Sequence, residues 1–258
     1  RVSSLPGKAE AEALMRHDHF LELIRGKPMG FKPTGAGTSC PGAMADHPHV
    51  LVHADDVDVS VAFGAREREQ DYSAKGIRLQ CEESLKRLGT DVLDLFEAHN
   101  PRLGQLDRDD VLGTLENLRD EGKIRHTGTS LGPKIDPARQ ADEAVVSFQR
   151  GYKSVMIIYN LLEQYLGPTT FQAARENGGG VLVRVPHSSG LLEGNLTADT
   201  VFPKWDHRSH RPKEWLTDGL KKIDQLEFLT GSGSRTIGQA ALKYILREPA
   251  VISTLPNI

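Results

Sequence analysis

Apolar and polar residues alternate along the chain with a period that changes several times. Ile77, Cys81, Leu85 and Leu88 recur at helical spacing with Arg, Lys and Glu between them, which predicts an amphipathic helix. Gly89 stops it, as a residue able to take positive φ should. Val92 to Ala98 is then a short, mostly apolar run suited to a buried strand, ending at His99-Asn100-Pro101. Val111, Leu112, Leu115 and Leu118 restore the helical period over Asp109 to Asp120, which closes at Glu121-Gly122. Ile124 to Ser130 reads as the next strand. Helix, strand, helix, strand with short connections is the rhythm of a parallel α/β fold.

The rhythm continues to the end of the chain. Asp136 to Gly151 reads as helix, Ser154 to Tyr159 as strand, and Thr170 to Asn177 as a helix stopped by Gly178-Gly179-Gly180. Val181 to Val185 is a strand ended by Pro186. Gly194 to Pro212 is a polar loop holding Trp205, His207 and His210. Glu214 to Thr230 and Thr236 to Leu246 read as helices, and Val251 to Leu255 as the last strand. The opening is harder to place. Residues 1–46 are irregular, with a helix over Glu10 to Ile24 and a loop rich in Gly, Pro, Ser and Thr over Gly26 to Gly42. His49 to Val52 and Val57 to Phe63 suit two short strands around Asp55-Asp56. The strand count from His49 is then about seven, with room for one more in the opening segment.

Composition narrows the class without naming a function. At 258 residues the chain fits one large domain. Its 26% charged and 38% hydrophobic residues are those of an ordinary globular protein. A net charge of −3 leaves no electrostatic footprint for nucleic acid or an anionic membrane. No apolar run is long enough to span a bilayer, and the first residues lack the apolar core of a signal peptide. Cys40 and Cys81 make no disulfide framework. Cytoplasm is the expected location; oligomeric state is not legible.

The motifs "SLKRLGTD", "LDLFEAHNP" and "LENLRDEGKIRHTGTS" resemble the central half of an aldo-keto reductase. "IIYNLLEQ", "ARENGGGVLVRVPHSSGLLEG" and "TIGQAALKYILREPAVISTLPN" follow in the matching order, so the resemblance covers roughly Gln70 to Asn257. It implies a (β/α)8 TIM barrel over residues 1–258, irregular or incomplete at the N-terminal part, binding a nicotinamide nucleotide at the C-terminal ends of its strands. The implied activity is NAD(P)H-dependent reduction of an aldehyde or ketone, with a small-molecule carbonyl substrate. NADP(H) is the usual donor of the family. The residues that normally hold its 2′-phosphate would lie beyond Ile258, which leaves NAD(H) open. A chain that is a piece of a longer reductase also fits the two irregular ends.

The resemblance also assigns residues. His99 matches the histidine that orients the substrate carbonyl, where a donor is useful because negative charge grows on that oxygen. Ser130 matches the serine that holds the nicotinamide carboxamide; Leu131 and Met156 stand where the family has Asn and often Gln. Tyr159 matches the aromatic that stacks on the nicotinamide ring, with Asn160 beside it. Pro186, Ser188, Ser189, Gly190 and Leu191 match the loop around the pyrophosphate, in which small residues let backbone N–H groups approach phosphate oxygens. His99 and Tyr159 also have plainer readings, a strand-end hydrogen bond and strand packing; Tyr72, considered as a substitute for the family's Tyr donor, suits packing at a helix start better. The family's catalytic Lys falls on Ala62 and its Asp on Val52, with no Tyr nearby. Those departures keep an alternative open, a catalytically degenerate barrel that binds nucleotide or a protein partner. The pairs His17/His19 and His47/His49 suit solvent-facing positions better than a metal site, since no later set of ligands completes one. Asp71 and Glu97 form no convincing carboxylate pair.

Overall fold

The computed structural model of the protein describes residues 51–53, 71–132, 137–231, 233 and 235–256. The readings made for 1–50 and 54–70 lie outside them. Among the described residues, six parallel strands form one sheet in sequence order: β1 (Leu51–His53), β2 (Leu93–His99), β3 (Ile124–Ser130), β4 (Ser154–Ile158), β5 (Gly180–Arg184) and β6 (Val251–Leu255). The helices between them are α1 (Ala74–Leu88), a short α2 (Leu103–Leu106), α3 (Asp109–Asp120), α4 (Pro137–Gln149), α5 (Gly167–Asn177), α6 (Lys213–Asp224) and α7 (Ile237–Leu246).

The helices form where the apolar stripe and the caps agree. In α1 the Ser73 hydroxyl accepts from the Gly76 N–H, and at the other end the Gly89 N–H returns to the Lys86 carbonyl. Its buried face, with Ile77, Cys81 and Leu85, meets Phe96 of β2 and Leu115 and Leu118 of α3. The Cys81 thiol is fully buried there, and desolvation pushes its pKa up to about 11. A second cluster joins Val155, Ile157, Val181 and Val183 of the sheet to Phe171 of α5 and Ile245 of α7. A third, with Leu192, Leu226, Leu229, Ile237 and Ala240, anchors the segment after β5.

Those clusters occupy the outer, helix-covered face of the sheet. Alternation along the strands therefore turns Glu97, Gly128, Ser130, Ser154, Met156, Leu182 and Arg184 to the inner face. Register aligns Glu97 with Gly128, Gly128 with Ser154, and His99 with Ser130.

The structure corrects several boundaries. The helix read over Glu214–Thr230 breaks after Asp224 and becomes a 3-10 turn at Glu227–Thr230. The tighter turn brings Leu226 and Leu229 into the third cluster, as a spacing of three residues does when each turn holds three. α5 starts at Gly167, three residues earlier than read, because Pro168 fits a first turn whose N–H needs no partner. α2 was not legible at all. It is one turn held by the buried Leu106.

Candidate functional site

Parallel strands end on the same side, so β2 to β5 deliver their last residues to one mouth. His99 is the last residue of β2 and half-buried. Its carbonyl accepts a 2.6 Å hydrogen bond from the Tyr72 hydroxyl, and Tyr72 is only 8% exposed, packed at the start of α1. Tyr72 thus supports the backbone of His99 from the helix side. Ser130, 1% exposed, ends β3 beside it and directs its hydroxyl to the Met156 sulfur at 3.6 Å. A thioether is a weak acceptor, so this hydroxyl can exchange it for a stronger partner at low cost.

Below this layer lies Glu97, fully buried. The Ser154 hydroxyl donates to its Oε1 at 3.3 Å. Burial pushes the Glu97 pKa up to about 8, with the Ser154 hydrogen bond and the Arg184 charge working against it. Gly128 makes the room: a Cβ there would collide with Ser154 Oγ and stand 3.1 Å from Glu97 Oε1. Arg184 closes the inner face at the end of β5. Its Nη2 donates to the Leu131 carbonyl at 3.0 Å, beside Ser130, while its Nε is buried with no hydrogen-bond partner among the described residues. Burial lowers the pKa of this guanidinium, and Tyr165, Glu163 and Glu97 raise it.

The loop after β5 is held in a demanding conformation. Val185, Ser188 and Ser189 take φ of 57°, 48° and 57°, and Gly190 takes 96°. Left-handed backbone at non-glycine residues costs on the order of 1 kcal/mol each, and a β-branched Val is an outlier there. Neighbours hold it in place. Asn160 donates from Nδ2 to the Val185 carbonyl at 2.9 Å and to Glu163 Oε2 at 2.7 Å, while its Oδ1 accepts from the Leu162 and Glu163 N–H groups. Ser188 donates to the same Glu163 oxygen at 3.3 Å. Pro186 is buried at the start of the turn. From above, Arg208 Nη1 donates to the Ser189 carbonyl at 3.4 Å and Arg211 Nη2 to its hydroxyl at 3.0 Å. Arg208 is paired with Asp206 and lies over Phe202; Arg211 lies over Trp215. Glycine suits position 190 because φ there is 96°, a backbone that side chains rarely adopt; a Cβ would also press on the Arg208 Nη1 end, 2.8 Å away. Two guanidinium groups converge on a loop of small residues, and among the described residues Arg211 has no carboxylate partner. That donor set fits an anionic group such as a pyrophosphate.

Two expected site residues face elsewhere. Tyr159 is 8% exposed and belongs to the outer cluster. Its ring meets Phe171 edge-on at 4.9 Å and stacks on Tyr244 at 5.8 Å, and its hydroxyl pairs with that of Tyr244 at 2.9 Å. It follows Val155 and Ile157 on the outer face, so stacking on a ring at the mouth is not open to it. Leu191 is a core residue, close enough to α6 that a Cβ at Gly219 would lie 2.7 Å from it. Sequence reasoning missed Arg184, Arg208 and Arg211. A lone arginine inside the apolar run VLVRV was the available signal for the first.

Comparison with known proteins places this arrangement. The sequence profile of the Aldo/keto reductase family matches residues 50–258. Aldo-keto reductase yakc (NADP(+)) of Schizosaccharomyces pombe is 28% identical over 195 residues, 73% of this chain and 54% of that protein. NADH-specific methylglyoxal reductase of Escherichia coli is 30% identical over 200 residues, 74% of this chain and 58% of that protein. The solved glycerol dehydrogenase AKR11B4 from Gluconobacter oxydans superposes with a TM-score of 0.63 at 25% identity, covering 83% of this chain and 65% of that one. The chain spans about half the length of the curated relatives it matches.

Proposed function

Because the chain belongs to the aldo/keto reductase family and has its (β/α)8 architecture, we propose that it reduces the carbonyl of a small aldehyde or ketone with a nicotinamide nucleotide. The observation that supports this best is the convergence at one mouth of His99, Ser130 and the strained loop Val185–Gly190 under Arg208 and Arg211. Bound NADPH or NADH supplies the hydride. His99 hydrogen-bonds the substrate oxygen, and its contribution grows as charge develops there. Ser130 holds the carboxamide. Ser188, Ser189 and Gly190 wrap the pyrophosphate, with Arg208 and Arg211 closing over it from the 202–215 segment. Asn160 acts through the loop it ties, because every donor and acceptor of its side chain is engaged within the protein. The stretch aligned with the family's Asp, Tyr and Lys lies outside the described residues except for the end of β1, so no proton donor is assigned.

One relative is named for NADP(+) and another for NADH, so both nucleotides are to be tested. Titration of the purified protein with NADPH, then NADH, followed by nucleotide fluorescence, is the test. Saturable binding at micromolar concentration supports the reading, and carbonyl substrates then report turnover. No binding at millimolar nucleotide overturns it. Among the described residues no helix is long and apolar enough to cross a membrane. A cytoplasmic location suits this reaction and the absence of a disulfide framework.

A further inference from the structure

Arg184 occupies a place between the two groups assigned above to the nucleotide. It is bonded to the Leu131 carbonyl, one residue after Ser130, and it immediately precedes the loop Val185–Gly190. It faces the interior, as the alternation along β5 requires: Val181 and Val183 belong to the outer cluster, and Leu182 and Arg184 to the opposite face. A ligand stretching from Ser130 to Ser189 must cross it. Its charge there is poorly compensated. It forms no close ion pair among the described residues, and burial raises the pKa of Glu97, the carboxyl beneath it, to about 8, which weakens that carboxyl as a counter-charge. Glu163, the other carboxyl near it, is already engaged by Asn160 and Ser188.

We propose that Arg184 lies against the nicotinamide ring and discriminates between the oxidation states of the nucleotide, disfavouring the cationic oxidised ring and accepting the neutral reduced one. This rests on the nucleotide reading above. The two forms differ by one positive charge on the ring, and a guanidinium a few ångströms from that charge, in a half-buried site, repels it with little screening. The protein would then hold the reduced nucleotide more tightly than the oxidised one. After transfer the repulsion would favour release of the oxidised form. Tyr159, facing outward, leaves this place to Arg184.

The test is a pair of dissociation constants, for the oxidised and the reduced form of whichever nucleotide binds, measured by calorimetry without substrate. The wild-type protein should prefer the reduced form by about tenfold or more. Arg184→Met, which keeps the length and loses the charge, should bring the two constants within about threefold of each other, and Arg184→Lys should restore the preference. Equal affinity of the wild-type protein for both forms overturns the proposal, and this needs no variant to fold. A preference that survives in Arg184→Met, or a loss of affinity shared equally by both forms, also overturns it. Failure of the wild-type protein to bind either form overturns the nucleotide reading itself, and this inference with it.

Discussion

His99 and Glu97 stand two residues apart on the inner face of β2, and their surroundings give them different work. His99 reaches the mouth, while Glu97 is sealed beneath it. His99→Ala should lower turnover by roughly two to three orders of magnitude, as loss of a donor to a developing oxyanion does. The nucleotide dissociation constant should stay within about twofold. Steady-state kinetics beside a binding titration check both, and unchanged turnover would remove His99 from the chemistry. Tyr72→Phe removes only the hydroxyl that supports the His99 carbonyl. It should cost about 1 kcal/mol of stability in a denaturant titration and a smaller part of the turnover. Helical residues such as Ile77 and Leu85 were readable from spacing because only one side of a helix is apolar. Tyr159 was not. β4 is apolar on both faces, so nothing in its pattern tells which way a given residue points.

At the scale of elements, the loop after β5 depends on its neighbours more than on its own sequence. "PHSSG" suggested a phosphate loop, but its left-handed Val and Ser residues could not be foreseen, since their conformation is imposed by Asn160, Glu163 and the two arginines. Asn160→Ala leaves the Leu162 N–H without its partner and strips the side-chain bonds from the Val185 carbonyl and the Glu163 N–H, which keep only their backbone partners, the Ser188 N–H and the Asn160 carbonyl. It should cost about 1–3 kcal/mol and weaken nucleotide binding without touching the ligand. Comparing thermal unfolding with and without nucleotide measures both effects. Arg211→Ala acts on the lid, losing the Ser189 hydroxyl bond and the stacking on Trp215. Stopped-flow displacement should show faster nucleotide dissociation, and an unchanged off-rate would argue against closure by this segment. The arginines escaped sequence reading because lid and loop are separated along the chain and meet only in the fold.

For the whole molecule, the repeating strand–helix order was legible because each βα unit carries its own apolar pattern, whereas the few polar residues on the inner face stand in strands that are apolar on both sides, where alternation does not show in the sequence. Glu97 is one of these, and it ties stability to pH. Its folded pKa is raised to about 8, above the usual carboxylate value, so the folded state keeps a proton that the unfolded chain releases. Its contribution is therefore complete below about pH 4 and declines as pH rises toward 8, by at most about 1.4 kcal/mol per pH unit. Glu97→Gln keeps an acceptor for Ser154 and has nothing to ionise. Melting temperatures at pH 5 and pH 9 should fall less between the two for the variant than for the wild type. Parallel curves would show that Glu97 is not the group responsible.

Cys81 gives the unit of α1, β2 and α3 a clock of its own. Buried between α1, β2 and α3, with its thiol pushed up to about 11, it offers neither access nor thiolate to an alkylating reagent. Labelling at this position can proceed only when the unit opens. The rate at which a peptide containing Cys81 gains mass in iodoacetamide therefore reads out local opening of the sheet that presents His99, in an unmodified protein and without a spectroscopic probe. Bound nucleotide should slow that rate if the mouth and this unit open together, and leave it untouched if they open apart.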